Sequence, residues 1–140
     1  MEFSHKKLDV YIVSLEYVKF VYSLVNGISS KHRYAKDQIL RASQSIPLNI
    51  AEGNGKFKEN DRNRYFAIAR GSALECSAVQ DVLLIGNAIN KTDYDFGEKL
   101  LIRIVSMLTK MTRKSWEVKE NSIEYCGYVD ETDSDENKIQ

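Results

Sequence analysis

Apolar and polar positions along this chain repeat with the period of an α-helix in four successive stretches, and no stretch shows the period of two that a half-buried strand requires. Leu8, Ile12, Leu15, Val18, Tyr22 and Val25 step at i+4, i+3, i+3, i+4, i+3, which predicts a first helix from about Ser4 to Val25, stopped by Asn26 and Gly27. β-Branched and aromatic residues are frequent in it, but a strand of that length would be exceptional. The second helix is predicted from near Tyr34 to Gly53 or Gly55, with Ile39, Ser43, Ile46, Ile50 and Gly53 as its core stripe. Arg41, Ser45, Asn49 and Glu52 form a polar stripe beside it. Pro47, the only proline, sits between the two; it lacks an N–H and sets its ring against the Ser43 carbonyl, so the helix is expected to kink or end there.

The third helix is predicted from about Asn60 to Asn90, roughly 45 Å at 1.5 Å per residue. Its seam is Tyr65, Ala69, Ser72, Cys76, Val79, Leu83 and Gly86, and its middle is crowded with small residues: Ala67, Ala69, Gly71, Ser72, Ala73, Cys76, Ser77 and Ala78. Small side chains let a neighbouring helix approach closely, whether from this chain or from another copy. Glu75 aligns with Ile68, Gly71, Ala78 and Val82 rather than with the charged face. A carboxylate there needs a cation, and Arg41, with Arg70 as the alternative, is the expected partner.

A fourth helix is expected from a cap at Thr92 or Asp93 to about Lys119, with Leu101, Ile104, Val105, Leu108, Met111, Thr112 and Ser115 as its apolar side. The links between helices are short, which favours antiparallel neighbours. The fold class is therefore all-α, an up-down-up-down four-helix bundle over residues 1–119 with a kink at Pro47. Residues 120–140 lose the period and read as an acidic, flexible tail.

Charge changes this picture only when it is divided. The formal net charge is zero, yet residues 1–116 hold 18 basic and 12 acidic residues, a body of +6 with the acidic excess in the tail. Lys31, Arg33, Lys36 and Arg41 surround the start of helix two; Lys56, Lys58, Arg62 and Arg64 surround the start of helix three, with Tyr34, Phe57, Tyr65 and Phe66 interleaved. Cations with aromatics among them can hold a phosphate backbone and stack a base, although the same residues serve equally as core anchors and solvated charge. An acidic tail would compete for such a surface in cis.

Candidate chemistry is sparse. His5 and His32 have no partners at metal-ligand spacing, and the Glu-x-x-His pairs of a di-metal bundle are missing, so neither a metal nor a cofactor is expected. Cys76 lies in an apolar seam without a paired histidine, Gly53-Asn54-Gly55-Lys56 lacks the strand and the Ser/Thr ending of a phosphate loop, and no arginine precedes either histidine as in some helical ribonucleases. A non-enzymatic protein is expected. Two cysteines far apart, no signal-like apolar run at the start and no long apolar stretch point to a reducing cytoplasm and away from secretion or a membrane.

Two segments carry a family resemblance. RASQSIPLNIAEGNG at 41–55 resembles the run R-A-x-x-S-I-P-x-N-I-A-E-G, and RYFAIARGSALEC at 64–76 resembles aromatic-x-x-x-A-R-G-S-x-x-E, both found in the bacterial 23S ribosomal RNA intervening-sequence proteins. The opening KLDVYIVSLEYV is similar to that family's first helix, and the likeness spans about residues 5–118. It implies a small up-down bundle assembled as a homopentameric ring, with no attached enzymatic activity. More distant relatives are retroelement accessory proteins that bind a reverse transcriptase and nucleic acid. By position it marks Arg41, Ser45, Pro47, Asn49, Glu52 and Gly53, then Arg70, Gly71, Ser72 and Glu75, as motif residues. It also makes RNA, DNA or a nucleoprotein the expected partner, with a purely protein-binding scaffold as the alternative. The tail from Glu120 onward is a departure from the family pattern.

Overall fold

Among the described residues, four helices and two short 3-10 turns account for most of the backbone. A computed structural model describes residues 1–123, with side chains described for 1–112. A 3-10 turn at Ser4–Lys7 precedes α1 (Asp9–Asn26), and a second at Ser30–His32 precedes α2 (Arg33–Asn54); α3 (Glu59–Ile85) and α4 (Lys91–Ile123) follow. The first helix thus starts later than expected, because Leu8 is extended at φ −78°, ψ 129°. The expected tail lies, from residue 124 on, outside the described residues. α4 itself reaches Ile123, beyond the expected end at Lys119.

Local chemistry explains two further differences. α3 stops at Ile85, not Asn90, because Asn87 adopts φ 60°, a left-handed conformation that asparagine tolerates. The Asn87 N–H then donates to the Leu84 carbonyl at 3.0 Å and the Ala88 N–H to the Leu83 carbonyl at 2.8 Å, satisfying the last turn. Asn90 instead opens α4: its Oδ1 accepts the Asp93 N–H at 2.7 Å, so the cap is neither Thr92 nor Asp93. Pro47 does not end α2, which continues through it to Asn54.

Cross-helix contacts run in opposite senses along each neighbouring pair. Ser45 meets Ser72 while Gly53 meets Phe66; Arg70 meets Thr109 while Ser77 meets Glu98; Gln44 meets Tyr22 while Asn54 meets Ser4. Phe20 of α1 packs on Phe96 of α4, their rings 5.2 Å apart, and closes the bundle.

α2 buries its expected stripe, Ile39, Ser43, Ile46, Ile50 and Gly53. α3 buries Ala69, Cys76, Val79 and Leu83 from its expected seam, but Phe66, Ala73 and Gln80 complete it; Tyr65 and Ser72 are half-buried and Gly86 is exposed. On α4 Leu101, Ile104 and Leu108 are buried, joined by Leu100, while Val105, Met111 and Thr112 are half-buried. Ser115 lies outside the described side chains.

α1 turns a different face inward from the one expected. Val10, Val13, Tyr17, Val21 and Leu24 form its core stripe, while Ile12, Leu15 and Tyr22 of the predicted stripe are exposed and only Val25 is buried. Both stripes are apolar at helical spacing, so the period does not choose between them.

The core contains one polar cluster. The Tyr17 hydroxyl donates to Gln80 Oε1 at 2.6 Å, and Gln80 Nε2 donates to the Tyr94 carbonyl at 3.3 Å and to Glu98 Oε2 at 3.4 Å. Ser77 Oγ also donates to Glu98 Oε2, at 2.7 Å. These bonds join α1, α3 and α4 where an unpaired amide would be costly.

Candidate functional site

The motif residues gather along the seam between α2 and α3, the most extensive helix contact in the bundle. Ser72 Oγ donates to Ser45 Oγ at 2.8 Å, and Asn49 Nδ2 donates to the Ser45 carbonyl at 2.8 Å and its Oγ at 3.0 Å. Gly53 permits close packing: a Cβ there would lie 2.9 Å from Phe66 Cε1 and 2.9 Å from Tyr65 Cβ. Glu52 pairs with Lys56 at 3.2 Å. Arg70 turns to the other side of α3, where its Nε donates to Thr109 Oγ1 at 2.7 Å.

Arg41 and Glu75 depart from the expected pairing. Ser45 faces Ser72, and one helical turn further Arg41 and Glu75 share a level on the outer side of the same seam. No ion pair joins them, Arg41 is exposed, Glu75 is half-buried, and neither has a hydrogen-bond or ion-pair partner among the described residues. Arg70, the alternative donor, is committed to Thr109. Nearby, a Cβ built on Gly71 would meet nothing within 4 Å.

The basic residues do not form one face. α2 has 22 residues, about 33 Å of helix, and the two groups lie at its opposite ends. At one end Lys31 and Arg33 are exposed, while Lys36 Nζ donates to the Ile28 carbonyl at 3.0 Å. At the other, Lys56 Nζ and Arg64 Cζ lie 5.3 and 5.2 Å from the centre of the Tyr65 ring. Lys56 is held by Glu52, and Arg64 lies 4.0 Å from Asp61. Lys58 is exposed and Arg62 half-buried. Over residues 52–64 the four cations meet three carboxylates, Glu52, Glu59 and Asp61, so this corner is nearly neutral. Of the interleaved aromatics, Phe57 and Tyr34 face solvent, Tyr65 is half-buried and Phe66 belongs to the core.

No group of three or more His, Cys, Asp or Glu side chains among the described residues is arranged to hold a metal ion. The Cys76 thiol is pushed up to about 12, chiefly by burial, with the neighbouring Tyr17 hydroxyl acting in the opposite direction. It stays protonated at neutral pH and is a poor nucleophile. No described helix is long and apolar enough to cross a membrane.

The sequence reading missed the uncovered apolar surface. Ile12 and Leu15 are 48% and 44% exposed on α1, and Leu48 is 67% exposed on α2. Tyr22 joins them, its hydroxyl accepting from Gln44 Nε2 at 3.2 Å. A shallow groove runs along α1 beside Tyr11, Ile12 and Leu15, and a second opens on α2, where Leu40 and Leu48 are flanked by Asp37, Arg41, Gln44 and Ser45. The signal is the second apolar stripe of α1, since a helix with two apolar faces buries only one of them in a bundle.

The family model for the 23S rRNA-intervening sequence protein matches residues 6–110. A crystal structure of a protein of unknown function from the S23 ribosomal protein family of Bacteroides thetaiotaomicron VPI-5482 is similar in fold, with a TM-score of 0.68 at 23% identity, over 74% of this chain and 97% of that one. No curated protein matches this sequence at a significant level.

Proposed function

The chain belongs to the 23S rRNA-intervening sequence protein family, and on that premise we propose that it is a non-enzymatic bundle that works as a homo-oligomer. One observation carries this reading: among the described residues, the apolar stripe of Ile12, Leu15 and Tyr22 on α1, with Leu48 beside it on α2, stays exposed. Scattered exposed apolar residues are ordinary, but a stripe at helical spacing that continues onto a second helix suits an interface. The ring of five implied by the family resemblance is the assembly we expect, in a reducing cytoplasm that suits the buried free thiol of Cys76. Light scattering tests the assembly: a mass several times the 16.1 kDa of one chain is expected, and a monomer at micromolar concentration overturns it. Ile12→Glu with Leu15→Glu is expected to release folded monomers.

A second reading, contact with RNA or DNA, is favoured by fully exposed Phe57 beside Lys56 and Lys58 at the α2–α3 corner. The near-neutral charge there limits the affinity of one copy, and repetition around an assembly would raise it. Salt-dependent retardation of a labelled structured RNA is the expected outcome, stronger once residues 124–140 are removed and weaker with Lys58→Glu. Absence of retardation at low salt leaves the protein-binding scaffold as the function.

A further inference from the structure

We propose that Arg41 of one copy pairs with Glu75 of another, with the outer ridge of α3 seated in the open groove on α2. The inference rests on the self-assembly reading and adds the charged contact that orients it. Three observations carry it.

The first is that each residue lacks a partner among the described residues of its own chain although the two share one level of one seam. Glu75 is half-buried beside Ile68, Ala78 and Val82, so covering that ridge would remove its remaining water. A carboxylate desolvated in this way requires a cation. On the same outer face Lys56 is already bound to Glu52, whereas the Arg41 guanidinium is uncommitted. Its planar fork suits a carboxylate at an interface.

The second is Gly71. A mid-helix glycine weakens a helix, and the chain's own packing does not require this one, since a Cβ would meet nothing within 4 Å. A close approach from outside accounts for it, and Gly71 lies one turn from Glu75 on the same ridge. The third is the receiving surface. The α2 groove has a volume of about 560 Å³, and Arg41 lines it between Leu40 and Leu48. Ile68 and Val82 on the α3 ridge, both partly exposed, are suited to pack against those leucines. Asp37 also lines the groove, one turn from Arg41, but no ion pair joins the two, so the guanidinium stays available and Glu75 of a second copy supplies the carboxylate that the contact needs.

The test is charge exchange in trans, read by light scattering, with circular dichroism as the control for folding. Arg41→Glu and Glu75→Arg are each expected to raise the dissociation constant at least tenfold while leaving helicity unchanged. Mixing the two variants is expected to bring both chains into assembled species in which they alternate, short of a closed ring of five because an odd ring leaves one like-charged contact, and the double variant is expected to assemble alone as the wild type does. Arg41→Gln and Glu75→Gln, which remove each charge without reversing it, are expected to weaken assembly in the same direction should a charge reversal disturb folding. Wild-type-like assembly of the single variants overturns the pair. So does a double variant that assembles while the mixture forms no species containing both chains, because that pattern belongs to a pair within one chain. A monomeric wild type overturns the self-assembly reading itself, which separates the two failures.

Discussion

Gly97 of α4 faces Gln80 of α3 so closely that a methyl group at position 97 would collide with the Gln80 side-chain oxygen and lie 2.8 Å from Phe20 Cε2. This glycine makes room for the amide that joins three helices. Gly97→Ala improves helix propensity by about 1 kcal/mol, yet overpacking in a dense core costs about 1–3 kcal/mol. A net loss of stability in urea denaturation is the expected result.

Tyr17 supplies the hydroxyl that satisfies Gln80 Oε1 in a site with no exposure. Tyr17→Phe leaves that oxygen without its donor, and a loss of about 1–3 kcal/mol follows from an unsatisfied buried acceptor. Combined with Gln80→Leu, the loss should be smaller than the sum of the two single losses, a coupling that a double-mutant cycle measures directly.

Gly53 and Gly71 are expected to respond oppositely to alanine. At Gly53 the new methyl meets Phe66 and Tyr65 at 2.9 Å, and a loss of about 1–3 kcal/mol is expected. At Gly71 it meets open space, so the isolated bundle should gain about 0.5–1 kcal/mol. Thermal unfolding of a monomeric background such as Ile12→Glu with Leu15→Glu separates folding from assembly. In the wild-type background Gly71→Ala should weaken association.

Cys76 makes stability depend on alkaline pH. Burial raises its thiol from 9.0 to about 12, so the folded chain holds a proton that the unfolded chain releases above pH 9. Its contribution is therefore complete below pH 9 and is lost as pH rises toward 12. Cys76→Ala should flatten the fall in stability over that window, measured by denaturation at pH 8 and pH 10. Tyr17, also raised by burial, leaves a remaining dependence at higher pH. In a Cys126→Ser background, a thiol reagent at pH 8 should label Cys76 only at the rate of opening.

The four helices, the core stripe of α2 and the polar motif stripe were legible because each rests on local periodicity. Ile39, Ile46 and Ile50 have no rival apolar face on their helix, so the period alone turned them inward. α1 carried two such faces, and the choice between Val13–Tyr17–Val21 and Ile12–Leu15–Tyr22 depended on what α2 and α4 present to it. The basic residues looked like one cluster because they flank consecutive helices. Antiparallel packing puts the start of α2 and the start of α3 at opposite ends of the bundle.

The sequence by itself determined an all-helical chain and the small residues that let α2 meet α3. These follow from side-chain size and from spacing along one helix. Tertiary structure decided which apolar stripe is covered, that Gln80 and not a hydrophobic residue ties α1 to α3, and that Arg41 and Glu75 stand at one level without joining. Those outcomes depend on the relative rotation and register of separate helices, and no spacing within a single helix encodes them.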